Sequence, residues 1–159
     1  MPIALTSEHV WQALEREIFA VLAWVNPRGQ PRSAGIVYAA RDRALYIATR
    51  LSSYKARDVA RHPHVSLTVT VAKRIPLLPW IKIPPATITF QGLARLHPAG
   101  AVEPVVRTRL LGGLKATEQD LSDLAFIELT PVGEFMTYGI GVSMRTMRRP
   151  EAARGRAPV

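Results

Sequence analysis

Thr49, Arg50, Ser52, Ser53 and Lys55 fall within seven consecutive residues, Thr-Arg-Leu-Ser-Ser-Tyr-Lys. Three hydroxyls and two cations at that density suit an oxyanion such as a phosphate, which they can hold through charge-assisted hydrogen bonds. The flanking sequence sharpens this. Leu45 to Thr49 is apolar and β-prone, Val65 to Val71 alternates Val/Leu with Ser/Thr, and between them His62 precedes Pro63, a position pushed out of helical geometry. The stretch therefore reads as strand, helix, strand, with Ser52 or Ser53 capping the helix start. Its hydroxyls and cations then stand beside unpaired backbone N–H groups at the positive end of the helix dipole, which makes an anion site. The same residues also admit a plainer reading, in which a serine only caps and Arg50 and Lys55 only face water.

The rest of the chain must position that stretch. With 159 residues, 48% hydrophobic and 21% charged, the chain is sized and composed for one globular domain with its own core. No apolar run reaches the ~18 residues of a membrane span. No cationic start leads into an apolar segment and cleavage site, so a cytoplasmic location and no membrane partner are expected. The absence of cysteine excludes disulfides, thiolate metal sites and a cysteine nucleophile. His9, His62, His64 and His97 are scattered, so no metal site is expected. A formal charge of +9 favours anionic partners. Five arginines, Arg145, Arg148, Arg149, Arg154 and Arg156, crowd the C-terminal segment; without a recognition motif or interleaved aromatics, nucleic acid is not the expected partner.

In order, Thr6 to Ile18 reads as a helix with Val10, Trp11, Leu14 and Ile18 as its apolar stripe. Phe19 to Val25 is continuously apolar and reads as a strand covered on both faces or set in a barrel wall. After a turn at Asn26 to Gln30, a return strand runs from Pro31 to Ala40, with Gly35 marking a bulge, a bend or a ligand pressed on bare backbone. Arg41-Asp42-Arg43 turns the chain into the Leu45 strand. Residues 72–85 carry four prolines among Ile75, Leu77, Leu78, Trp80, Ile81 and Ile83, a segment expected to fold over the barrel mouth, a partner subunit or a ligand. Ala86 to Leu96 is a long strand interrupted by Gly92, and Pro98 to Ala116 a helix followed by a polar connector, Glu118 to Asp123. Leu124 to Thr130 and Glu134 to Tyr138 read as a hairpin about Pro131-Val132-Gly133.

The sum is a mainly β (α+β) domain over 1–143, a six- to seven-stranded antiparallel split β-barrel with flanking helices. The basic residues 144–159 form a tail, either disordered or tied down on a neighbouring subunit.

From Phe19 to Tyr138 the sequence resembles the pyridoxamine 5′-phosphate oxidase-like, flavin-binding split-barrel superfamily. The most specific resemblance is a Thr at a strand end, a Ser four residues on and a Lys two beyond, here Thr49, Ser53 and Lys55. His62-Pro-His-Val-Ser-Leu-Thr-Val69 and Ile88-Thr-Phe-Gln-Gly-Leu-Ala94 resemble the strands that follow. The resemblance implies an FMN phosphate gripped by Lys55, Ser53 and Thr49, assisted by Arg50, Ser52 or Arg32, in a cleft between two subunits of a homodimer. It further implies a flavin ring along Ser33 to Tyr38, with Gly35 allowing close approach and Thr87 or Thr89 reaching its polar edge. Where the vitamin B6 oxidases carry a flavin-contacting arginine and lysine, this chain has Ser33 and Tyr38, and their C-terminal substrate segment is not recognisable here. The expected activity is therefore FMN-dependent oxidation or reduction of another small molecule, with no side chain singled out as acid or base. The alternatives are a deazaflavin-dependent reductase or a haem- or tetrapyrrole-binding protein of the same fold, or a non-enzymatic polyanion-binding module.

Overall fold

The computed structural model describes residues 5–73, 77, 80–112 and 121–159. Its centre is an antiparallel sheet of β1 (Phe19–Val25), β2 (Pro31–Val37), β3 (Ala39–Arg41), β4 (Ala44–Arg50), β5 (His64–Val71), β6 (Ala86–Pro98), β7 (Leu124–Tyr138) and β8 (Arg154–Pro158). The order is β2-β1-β5-β6-β7-β4-β3, with β8 added beside β7. β2 and β3 are halves of one run bent at Tyr38, the first paired with β1 and the second with β4. That bend brings the two ends of the order together and curls the sheet into the split barrel.

The barrel is filled from its inward row. Leu22 lies opposite Leu67, and Leu67 opposite Phe90; all three are fully buried. Phe135 meets Phe90 and Trp11 edge-on at 5.2 and 5.6 Å between ring centres. Trp11 comes from α1 (Ser7–Arg16), capped by Thr6, whose hydroxyl accepts from the His9 N–H. Ile18, placed in the same stripe by its spacing, lies beyond the helix and is exposed. Tyr38 locks α1 to the barrel: its buried hydroxyl donates to the Leu14 carbonyl at 2.7 Å, and burial raises its pKa well above the ordinary phenol value. Tyr38→Phe should cost about 1–2 kcal/mol in urea unfolding, since it strands a buried acceptor without changing volume; an unchanged midpoint would show that the bond carries nothing.

α2 (Tyr54–Arg61) closes the opposite end, burying Ala56 and Val59 while Asp58 accepts from the Trp24 indole at 3.0 Å. α3 (Pro104–Leu111), preceded by a 3-10 turn at Ala99–Ala101, covers a second cluster on the outer face, where Val102 and Val106 pack on Ala39 and Phe126. This helix is shorter than its apolar pattern implies, and residues 113–120 lie outside the described residues. Among the described residues no helix is long and apolar enough to cross a membrane, and no group of three acidic or histidine side chains could hold a metal.

Of the two readings of Phe19 to Val25, the barrel wall is the one that holds: Ala20, Leu22 and Trp24 are buried while Phe19, Val21 and Val25 are exposed. Two other expectations change. The hairpin about Pro131 is instead one fifteen-residue strand, both halves of which pair with β6. Thr89 faces Met136 and Gln91 faces Val132, so the turn-like residues are a bulge, with Gly133 supplying the φ of 78° that it needs. Beside it, Gly92 leaves room for Leu129, whose Cδ2 lies 2.4 Å from where a Cβ would stand. Finally, the basic tail is ordered on its own chain. It forms α4 (Met144–Met147), α5 (Pro150–Ala153) and β8, which pairs with β7 from Glu134 to Tyr138.

Candidate functional site

β4 delivers Thr49 and Arg50 to the barrel end, and the chain turns through Leu51 to Ser53 into α2. Ser53 is the cap: extended at φ −71° and ψ 146°, its hydroxyl accepts from the Ala56 N–H at 3.1 Å. The buried Thr49 hydroxyl lies 3.0 Å from the Ser53 hydroxyl, so the first turn of α2 is fastened to the strand before it. The structure thus brings Thr49, Ser53 and Lys55 together at one helix mouth, whose first turn carries no acidic residue. Lys55 is half-buried, and burial lowers its pKa below the ordinary lysine value. Among the described residues it has no hydrogen-bond or ion-pair partner, and Asp58 on the same helix is taken by Trp24.

Ser52 has another task. Its hydroxyl donates to Asp123 Oδ2 at 2.6 Å and its N–H to Oδ1 at 3.1 Å, while the Leu51 N–H donates to the Asp123 carbonyl at 2.8 Å. Asp123 clamps the turn that presents Ser53 and Lys55. No sequence signal could have pointed to it, because 71 residues separate the partners. Arg50 is exposed at the end of β4, opposite Leu124. Arg32 faces Trp24 across β1 and β2 and so shares the inward direction at the end that α2 covers.

The proposed ring-binding strand is laid out differently. Ser33 and Gly35 are on the outer face, but the space over Gly35 is taken by the Phe19 ring, 3.0 Å from where a Cβ would stand. Gly35 therefore makes room for Phe19, and Tyr38 belongs to the core. Thr87 and Thr89 line an outer-face cleft of about 760 Å³ with Met136, Tyr138, Arg154 and Arg156. This cleft is remote from Lys55 within one chain. Thr49 pairs with Ala125 and Ala125 with Pro98, eleven residues along β6 from Thr87, and at ~3.3 Å per residue that is roughly 35 Å of strand.

A model of the family described as pyridoxamine 5′-phosphate oxidase matches residues 6–138. The chain belongs to this family.

Solved structures agree on the fold of this family member. It is 24% identical to an F420 reductase, covering 78% of this chain and 93% of that one with a TM-score of 0.58. With an FAD-binding protein from Mesorhizobium loti the identity is 18%, the coverage 81% and 90%, and the TM-score 0.60. A haem-binding protein from Mycobacterium smegmatis is 18% identical, covering 96% of this chain and 60% of that one at a TM-score of 0.63. No curated protein sequence matches significantly. What these neighbours share with this chain is the split-barrel fold.

Proposed function

We propose that this protein binds FMN as a homodimer and uses it to oxidise or reduce a small molecule. One observation carries the reading: Lys55, half-buried and without a counter-ion among the described residues, sits in the first turn of a helix whose cap, Ser53, is bonded to the Thr49 hydroxyl. Burying an unpaired charge costs stability, and an arrangement that carries the cost fits a site completed by an anion. In the complex Lys55, Ser53 and the first N–H groups of α2 would hold the flavin phosphate, with Thr49 and Asp123 positioning them. The flavin supplies the redox chemistry when bound; the chain holds and orients it.

A second copy of the chain is part of the reading. Val21, Thr68, Thr89, Met136 and Arg156 lie directly opposite one another in successive strands, forming one outward row across β1, β5, β6, β7 and β8. Phe19, Val37 and Met136 leave apolar surface exposed on that face, and a facing copy would cover it and could bring its own Thr87 and Thr89 toward the Lys55 of its partner. A cytoplasmic location fits this reading. The test is a denatured extract of the purified protein chromatographed against authentic FMN, with sedimentation to count subunits. FMN near one equivalent per chain is expected. An extract carrying a deazaflavin or haem would replace the cofactor assignment, and a bare monomer would end the proposal.

A further inference from the structure

The end of the barrel opposite α2 combines two features that the phosphate site does not use. Leu77, Trp80 and Ile81, in the connection from β5 to β6, are 86%, 73% and 46% exposed, with the exposed Lys82 next in sequence. The tail meets the same place. Lys73 donates to the Val142 carbonyl, and a Cβ on Gly139 would come within 2.7 Å of Met147 and 3.2 Å of Ala86, where β6 begins. The tail is held there by the Tyr138 hydroxyl, which donates to the Met147 carbonyl at 2.7 Å, and by the Gly139 N–H, which donates to Ala153 at 2.8 Å. Arg145, Arg148, Arg149 and Arg154 all remain exposed.

The charge is concentrated accordingly. Residues 72–85 contribute three cations (Lys73, Arg74 and Lys82), and residues 144–154 contribute four arginines against Glu151, while Arg156 beyond them is paired with Glu134. Together the two segments hold +6 of the formal +9.

We propose that this end lies on the surface of an anionic lipid bilayer, with Leu77, Trp80 and Ile81 entering the interface and the tail arginines facing headgroups. A tryptophan and aliphatic side chains set among cations match the interfacial layer, where an amphipathic ring is favoured and basic groups meet negative potential. Trp80 to Pro85 forms neither the helix nor the strand by which a protein partner would ordinarily take it up. The contact is peripheral and spans nothing, but it replaces the expectation of no membrane partner.

Trp11 and Trp24 are 3% and 8% exposed, so a lipid-induced change in tryptophan emission reports Trp80. The purified protein is mixed with vesicles of phosphatidylcholine alone or with phosphatidylglycerol, then sedimented while emission is recorded. Co-sedimentation with the anionic vesicles, a blue shift, and about a tenfold or greater loss of binding in high salt are expected. Leu77→Ser with Trp80→Ser should weaken sedimentation with the anionic vesicles, and Arg148→Glu with Arg149→Glu should weaken it and reduce the Trp80 shift, with circular dichroism confirming both variants folded. Absence of binding to anionic vesicles overturns the proposal, as does binding that neither pair of substitutions alters. If the loop substitutions convert a dimer to a monomer and leave vesicle binding unchanged, the loop faces a second copy of the chain and the proposal also fails.

Discussion

Lys55→Ala should weaken FMN binding by roughly tenfold to a hundredfold, because a charge-assisted hydrogen bond to a phosphate is worth about 1.5–3 kcal/mol and each 1.4 kcal/mol is a factor of ten. Titration of the apoprotein followed by flavin fluorescence measures this directly, and an affinity within about twofold of the parent would remove Lys55 from the site. Stability should move the other way. The lysine is half-buried without a partner among the described residues, and burial lowers its folded-state pKa below that of the unfolded chain. Between the lowered value and the ordinary lysine range the unfolded chain binds more protons, so this contribution to stability rises as pH climbs through the folded pKa. Lys55→Met, which keeps the stem and deletes the charge, should accordingly melt higher than the parent without ligand while holding FMN poorly. A bound phosphate stabilises the protonated form, so parental affinity should fall as pH rises through the ligand-free pKa of Lys55, and the methionine variant should lack that dependence. A lysine that merely faced water would produce neither the higher melting temperature nor the pH-dependent difference.

What could be read from the sequence near this site follows the range of the interactions involved. The limits of α2 are set within a few residues, by Ser53 capping Ala56 and by His62 before Pro63, and both were legible. So were the strands whose burial alternates, such as β5. Ser52 was read as a phosphate donor because its carboxylate partner is far away in sequence; the same composition serves a clamp and a ligand equally well. The contacts of Tyr38 and Gly35 are hidden from the sequence for a related reason. Each sits in a plausible strand, but the Leu14 carbonyl and the Phe19 ring that claim them belong to other elements. Pro131-Val132-Gly133 has the composition of a hairpin turn, and only the length of β6, thirteen residues able to pair with both halves of β7, makes it a bulge. The exposed Phe19, Val21 and Val25 give β1 an apolar outer face, so its uninterrupted apolar run fits a barrel-wall strand as well as one covered on both sides, and the run by itself does not separate the two.

The arginine-rich tail was the hardest part to read, since its composition resembles a solvated extension while its structural role comes from the open edge of β7. Ending the chain after Ser143 should destabilise the domain by about 3 kcal/mol or more, lowering the melting temperature of a chain this size by roughly 6–12 °C. Three losses combine. The β7 backbone from Glu134 to Tyr138 loses its ladder to β8 and becomes a raw edge. Met147, Ala153 and Ala157, each at most 8% exposed, no longer cover the barrel, and Ala157 belongs to the same core cluster as Phe135 and Trp11. The Tyr138 hydroxyl loses the Met147 carbonyl. Phe135→Ala in the full-length chain offers a calibrated comparison, because emptying a fully buried aromatic site costs about 3–5 kcal/mol. A truncated protein that melts with the parent would restore the tail to the status of a loose appendage. A loss comparable to Phe135→Ala would instead make β8 part of the domain, so that residues 1–143 alone are an incomplete barrel whose exposed strand invites pairing with other chains.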